Sequence, residues 1–113
     1  MAAESLWSLD ALVSQLAGDE QLAREMVVIF VDECPHMIGA VHDALASGSP
    51  DAVRRAAHAL KGAAANFTPD GATATARQLE LSAAEGRLDQ AASLIDRLER
   101  ELDALVRAMA ERS

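Results

Sequence analysis

Apolar side chains recur at three- and four-residue spacing along most of the chain, which is the pattern of amphipathic helices and differs from the alternation of a strand. Within residues 19–46 this apolar stripe comprises Leu22, Met26, Ile29, Phe30, Met37, Val41 and Leu45. Within residues 89–111 it comprises Leu94, Ile95, Leu98, Leu102, Leu105, Val106 and Met109. Each stripe covers one helix face, so each predicts a neighbouring helix that buries it.

Glycine, proline and small polar residues divide the chain into helices. Breaks are predicted at Gly18, 47–51, 68–70 and Gly86, which leaves helices over 8–17, 19–46, 50–67, 69–85 and 89–111. Two of the breaks, Ser49-Pro50-Asp51 and Thr68-Pro69-Asp70, offer a hydroxyl N-cap, a proline at the first helical position and an acid at the positive helix end. Both are predicted helix starts.

Short connections make consecutive helices antiparallel. The sequence therefore predicts an all-α fold, an antiparallel up-down-up-down four-helix bundle with a short additional N-terminal helix that covers one end together with Trp7. At 113 residues, 1–113 is expected to form a single domain. Pro35 lies inside the long second helix and should kink or break it, because proline removes one backbone hydrogen bond.

Charge excludes several function classes. The formal net charge is −8, which opposes binding to nucleic acid and to anionic membranes. No apolar run approaches the ~20 residues of a membrane span, so we expect no membrane insertion. We also expect the protein to be cytoplasmic and monomeric. A single cysteine, Cys34, cannot form an internal disulfide.

No metal site is predicted. On a helix Cys34 and His36 diverge by about 160°, and His42 faces away from the stripe that contains Cys34. Cys34 is expected in the core and His42 in solvent. Leu81 falls opposite the apolar face of its helix, so it is either an exposed contact or a packed residue at the rim of the core.

The segment AHALKGAAANF, Ala57 to Phe67, places His58 on the polar side of its helix. At about 100° per residue, the core face consists of Val53, Ala56, Ala57, Leu60, Ala63, Ala64 and Phe67. The face within roughly 60° of His58 consists of Asp51, Arg54, Arg55, Lys61, Gly62 and Ala65. His58 should therefore point into water, among basic and small residues.

An exposed neutral imidazole is a nucleophile that can accept a phosphoryl group. Lys61, the only lysine of the chain, lies one turn further on and can neutralise the added charge, while Arg54 and Arg55 add positive potential. Gly62 costs the helix roughly 1 kcal/mol relative to alanine. Its missing side chain and the small Ala65 would leave room for a phosphoryl group or a partner, unless a closely packed helix is what requires glycine.

At these residues the chain resembles the histidine-containing phosphotransfer (HPt) domains of bacterial phosphorelays, whose motif His-x-Leu-Lys-Gly is matched by His58, Leu60, Lys61 and Gly62. The resemblance extends to Pro35, to the segments 54–57 and 65–67, and to Leu79-Glu80, and it covers nearly the whole chain. It implies that His58 is phosphorylated, that Lys61 assists electrostatically, that Gly62 keeps the approach open and that Glu80 orients the imidazole. Where many members have glycine after the position of Phe67, this chain has Thr68 and Pro69.

The resemblance also implies the partners. They would be receiver domains of response regulators and a hybrid sensor histidine kinase, with magnesium bound by the receiver and no cofactor on this chain. No base or carboxylate cluster accompanies His58 on its helix face, so the chain is expected to be a phosphoryl carrier rather than an enzyme.

Two alternatives remain open. One is a helical adaptor in which His58 is incidental, and the other is the phosphoryl-accepting domain of a chemotaxis-type kinase, which uses a similar His-x-x-Lys-Gly helix.

Overall fold

The computed structural model describes residues 7–112, except for the side chain of residue 112. This part of the chain forms five α-helices and no strand. They are α1 (Leu9–Gln15), α2 (Glu20–Ser47), α3 (Pro50–Ala65), α4 (Ala72–Ala84) and α5 (Ala91–Arg112). The five predicted helices are all present, with ends that differ from the predicted ones by at most a few residues.

The four long helices pack as a ring in which each contacts the next in the chain. Helix α3 packs most extensively against α4 and also contacts α2, while α5 contacts α4 and closes the ring against α2. The short α1 packs on α2. This arrangement confirms the predicted four-helix bundle with an additional N-terminal helix. None of the helices in the described part of the chain is both long and apolar enough to cross a membrane.

The core follows the spacing expected of packed helices. On α5 the buried residues are Ala91, Ile95, Leu98, Leu102, Leu105, Ala108 and Met109. On α3 and α4 they are mostly small, apart from Leu60 and Leu79, which are completely buried. Phe30 of α2 meets Phe67, just beyond α3, with ring centroids 4.8 Å apart. Apolar burial therefore joins all four long helices in one core.

The stripe predicted for α2 was wrong at two positions. Leu22 and Ile29 were expected to be buried, yet they are 40% and 62% exposed. The buried positions of α2 are Ala23, Phe30, Cys34, Val41 and Ala44. At these two places the buried residue is the next one along the chain, Ala23 instead of Leu22 and Phe30 instead of Ile29, so the buried face is rotated by about 100° from the predicted one. Because α2 is much longer than α3, the side of its N-terminal half that carries Ile29 is left uncovered.

Only one of the two predicted proline starts begins a helix. Ser49 caps α3 by accepting a hydrogen bond from the N–H of Ala52 (3.2 Å), with Pro50 at the first position, as predicted. The start predicted at Thr68-Pro69 was wrong, because α4 begins at Ala72 after Gly71. Gly71 adopts φ 58°, ψ −118°, which no helix can continue. The Thr68 hydroxyl instead closes a turn onto the backbone of Asp70.

Helix α2 continues through Pro35 from Glu20 to Ser47, so the proline does not break it. Pro35 lies on the exposed side of the helix, and the neighbouring Cys34 is buried as expected. Burial raises the pKa of the Cys34 thiol.

Leu81 of α4 is exposed and lies outside the core.

The corrected orientation of α2 can be tested with two neighbouring residues. Phe30→Ala should lower the free energy of unfolding by about 3–5 kcal/mol, because it leaves a cavity beside Phe67. Ile29→Ala should change it by no more than about 0.5 kcal/mol, because the side chain is mostly in water. Chemical denaturation measures both. Comparable losses in the two variants would contradict the observed rotation of α2.

Candidate functional site

His58 lies near the middle of α3 and points away from the core. Its side chain is 65% exposed, while Ala57 beside it and Leu60 two residues later are completely buried. The burial of these two apolar neighbours fixes the rotation of α3 and thereby directs the imidazole outward. The exposure predicted for His58 is confirmed.

Glu80 of α4 contacts the imidazole from the adjacent helix. Its Oε2 lies 2.8 Å from Nδ1 of His58. An ionised carboxylate can only accept a hydrogen bond, so Nδ1 must carry the proton and donate it. The neutral ring then has its lone pair on Nε2, and none of the described residues forms a hydrogen bond with that atom.

Lys61 contacts the other oxygen of the same carboxylate. Its Nζ lies 2.7 Å from Oε1 of Glu80, in an ion pair whose angles fall outside those of a hydrogen bond. The side chains of Lys61 and Glu80 are 25% and 17% exposed, so water screens this pair little. The Lys61 ammonium, and then the contact with His58, hold the pKa of Glu80 below its ordinary value although desolvation opposes them.

Gly62 and Ala65 form an open surface next to this cluster. A Cβ built on Gly62 would meet nothing within 4 Å. Close packing against another helix is therefore not the reason for the glycine, which removes one of the two explanations considered for it. Ala65, the last residue of α3, is exposed as well. An approaching group would meet little side-chain bulk on this side of α3.

Arg54 and Arg55 pair with Asp51 at the start of α3. The distances are 2.8 Å from Arg54 Nη2 to Oδ1 and 3.3 Å from Arg55 Nε to Oδ2. Hydrogen bonding by Arg54, followed by the charges of both arginines, lowers the pKa of Asp51. The positive potential expected from the two arginines is thus partly neutralised by Asp51. Neither of them forms an ion pair with Glu80.

The remaining histidines and the cysteine form no second site. His42 is half exposed, and its Nε2 lies 2.8 Å from Oε1 of Glu99 on α5. Within residues 7–112 no group of three or more His, Cys, Asp or Glu side chains is placed to hold a metal ion. The His42–Glu99 pair was not foreseen from the sequence, because helical periodicity does not tell which residues of two helices face each other.

Comparison with known proteins identifies the family. The model of the Hpt domain family matches residues 25–108, and the chain belongs to this family. The structure resembles histidine-containing phosphotransfer protein B (HptB) from Pseudomonas aeruginosa PAO1, with a TM-score of 0.85, 26% identity, and coverage of 94% of this chain and 92% of that one. Membership of this family supports a role in histidine phosphotransfer within a two-component phosphorelay.

A second structure shows the same fold at lower identity. It is the HPT domain of the Hpt sensor hybrid histidine kinase from Shewanella, with a TM-score of 0.79, 18% identity, and coverage of 95% of this chain and 92% of that one. No curated protein matches the chain at a significant level.

The state of Glu80 gives a test based on pH. At neutral pH, Glu80→Gln should lower the free energy of unfolding by roughly 1 kcal/mol, because the ion pair with Lys61 is lost. A carboxyl with a lowered folded-state pKa stabilises the fold above its unfolded-state pKa, about 4.3, and this contribution disappears as pH falls through the folded-state pKa. Urea unfolding at several pH values should therefore show the two proteins converging below about pH 4. A difference that persists in acid would contradict an ionised Glu80.

Proposed function

We propose that His58 accepts a phosphoryl group on Nε2 from the aspartyl phosphate of one receiver domain and passes it to the aspartate of another. The observation that carries this proposal is the hydrogen bond from Nδ1 of His58 to Glu80. It leaves the lone pair on Nε2 of a side chain that is mostly exposed. That is the protonation state a nucleophilic histidine requires.

The exchange balances without a further reactant. The Nε2 lone pair attacks phosphorus, the bond from phosphorus to the aspartate oxygen breaks, and the aspartate leaves as carboxylate. The proton stays on Nδ1. In the second transfer a receiver carboxylate oxygen attacks phosphorus, the phosphorus–nitrogen bond breaks, and its electron pair returns to Nε2.

The division of labour follows from what surrounds His58. This chain supplies the nucleophile, the carboxylate of Glu80 and the positive charge of Lys61. The receiver would supply its aspartate and its magnesium ion, and would approach over Gly62 and Ala65, with Arg54 and Arg55 at the edge of the contact. The chain would thus act as a phosphoryl carrier rather than as an enzyme. The phosphoryl groups would come from a hybrid sensor histidine kinase.

Labelling of a variant at His58 tests the proposal. A phosphorylated receiver domain should transfer one acid-labile, base-stable phosphoryl group to the wild-type chain, and His58→Gln should abolish the transfer. His42→Gln is the matched control, because His42 also pairs with a glutamate across helices yet lies elsewhere. Full labelling of the His58→Gln variant would refute the proposal, as would transfer only from an isolated kinase domain, which is the chemotaxis-type alternative.

Gly62 separates a carrier from an adaptor with an incidental histidine. Gly62→Gln should stabilise the fold by several tenths of a kcal/mol, since glutamine favours helix more than glycine does and open space surrounds the position. Transfer from the receiver should nevertheless slow at least tenfold, because the new side chain obstructs the approach to His58. Melting temperature and transfer rate are measured on the same variant. Gly48, the residue that caps the C-terminus of α2, is not a suitable control, because its φ of 72° would strain the backbone of any other residue placed there.

Gly39→Gln provides the control. Gly39 is also helical and also has nothing within 4 Å of a built Cβ, but it lies on α2. It should show the same gain in stability with transfer unchanged. Unimpaired transfer in Gly62→Gln, or equal slowing in both variants, would remove the role assigned to Gly62.

A further inference from the structure

The contact between Glu80 and His58 has a consequence for the phosphorylated state. We propose that Glu80 retains the proton on Nδ1 of phospho-His58 and so keeps the phosphoryl group in its readily transferable form. Glu80 would act as a positioning residue that sets the lifetime and transfer potential of the phosphohistidine. This inference rests on the proposed function and extends it from acceptance of the group to its release.

The argument starts from the leaving group. When the phosphorus–nitrogen bond breaks, the electron pair goes to Nε2. If Nδ1 carries a proton, the ring leaves as neutral imidazole, whereas without that proton it would leave as an imidazolate anion. Imidazolate is a far poorer leaving group. Release to an aspartate, or to water, is therefore fast only while the proton remains on Nδ1.

Phosphorylation on Nε2 makes a ring that bears a proton on Nδ1 cationic. In water this ring loses the proton as the solution becomes alkaline. Here the acceptor 2.8 Å away is a carboxylate, and a hydrogen bond between opposite charges is about twice as strong as a neutral one. Glu80 thus favours the protonated ring. A glutamine at position 80 could accept the same bond but would lack the charge.

The surroundings keep Glu80 charged. Lys61 lies against its second oxygen, and the side chain of Glu80 is largely withdrawn from solvent. Arg54 and Arg55, the other cations on this face of α3, are paired with Asp51. Among the described residues, Glu80 is therefore the charged group that contacts the imidazole, while Lys61 contacts the carboxylate of Glu80 and not the ring.

The experiment uses phosphoramidate, a small-molecule donor whose own phosphorus–nitrogen bond breaks as it releases ammonia and phosphorylates histidine. Hydrolysis of phospho-His58 is followed by phosphorus NMR from pH 5 to 10. As the pH is raised, hydrolysis of wild-type phospho-His58 should slow at a higher pH than hydrolysis of free Nε2-phosphohistidine. In Glu80→Gln the fall should occur about one pH unit lower than in the wild type, so that above the wild-type inflection the phosphoryl group lives up to about tenfold longer in the variant.

Glu99→Gln is the matched control, because it neutralises the carboxylate that lies at the same 2.8 Å distance from His42. Its hydrolysis profile should superimpose on that of the wild type. Nitrogen NMR adds a readout that a merely structural role would not change. Nitrogen NMR identifies Nδ1 of phospho-His58 through the phosphorus coupling of the other ring nitrogen, Nε2. Its signal should change from that of a protonated to that of an unprotonated ring nitrogen about one pH unit lower in Glu80→Gln than in the wild type.

The possible failures are distinguishable. If phosphoramidate labels His58→Gln as well as the wild type, the proposed function itself fails. If His58 is labelled but the wild-type and Glu80→Gln profiles coincide, the role of Glu80 is refuted while the carrier function stands. Labelling on Nδ1 would refute it too. Should Glu80→Gln fail to fold, a wild-type profile identical to that of the free amino acid would overturn the inference without any variant.

Discussion

The close packing of α3 against α4 is the constraint on which the site depends. His58 and Glu80 are separated by 22 residues, and only the distance between the two helices brings their side chains together. The buried positions on these helices include Ala57, Ala64, Ala76 and Ala83. Small side chains at a contact allow helix axes to approach more closely than leucines would. Leu60 and Leu79, completely buried next to the site residues, then fix the rotation of each helix.

This packing also explains why a carboxylate is tolerated at position 80 of an acidic chain. A charge withdrawn from water is costly unless it is paired and hydrogen-bonded. Glu80 has both kinds of partner, since one oxygen faces Lys61 and the other faces His58. The same two contacts that stabilise Glu80 in the fold prepare the imidazole for chemistry. Stability and function are therefore coupled at this residue.

The sequence predicted the helices, their bundle and most of the core, but it did not determine how far a neighbouring helix covers the edge of an apolar stripe. The exposure of His58 and the cap at Ser49 depend on local periodicity and on backbone hydrogen bonding, which the sequence encodes directly. The misplaced Ile29 shows the limit, because a position at the edge of an apolar stripe is buried only if a neighbouring helix reaches it. The helix start predicted at Thr68 and Pro69 was wrong for another reason, since the positive φ of Gly71 delays the start of the helix to Ala72.

The contact between Lys61 and Glu80 could not be predicted from either helix alone, yet it accounts for the choice of cation. Every other basic residue of the chain is arginine. A guanidinium is a planar fork that binds both oxygens of a carboxylate, whereas an ammonium is a compact point charge. At position 61 a fork would compete with the imidazole for Glu80. The ammonium occupies Oε1 and leaves Oε2 for Nδ1 of His58, so lysine allows one carboxylate to serve both partners.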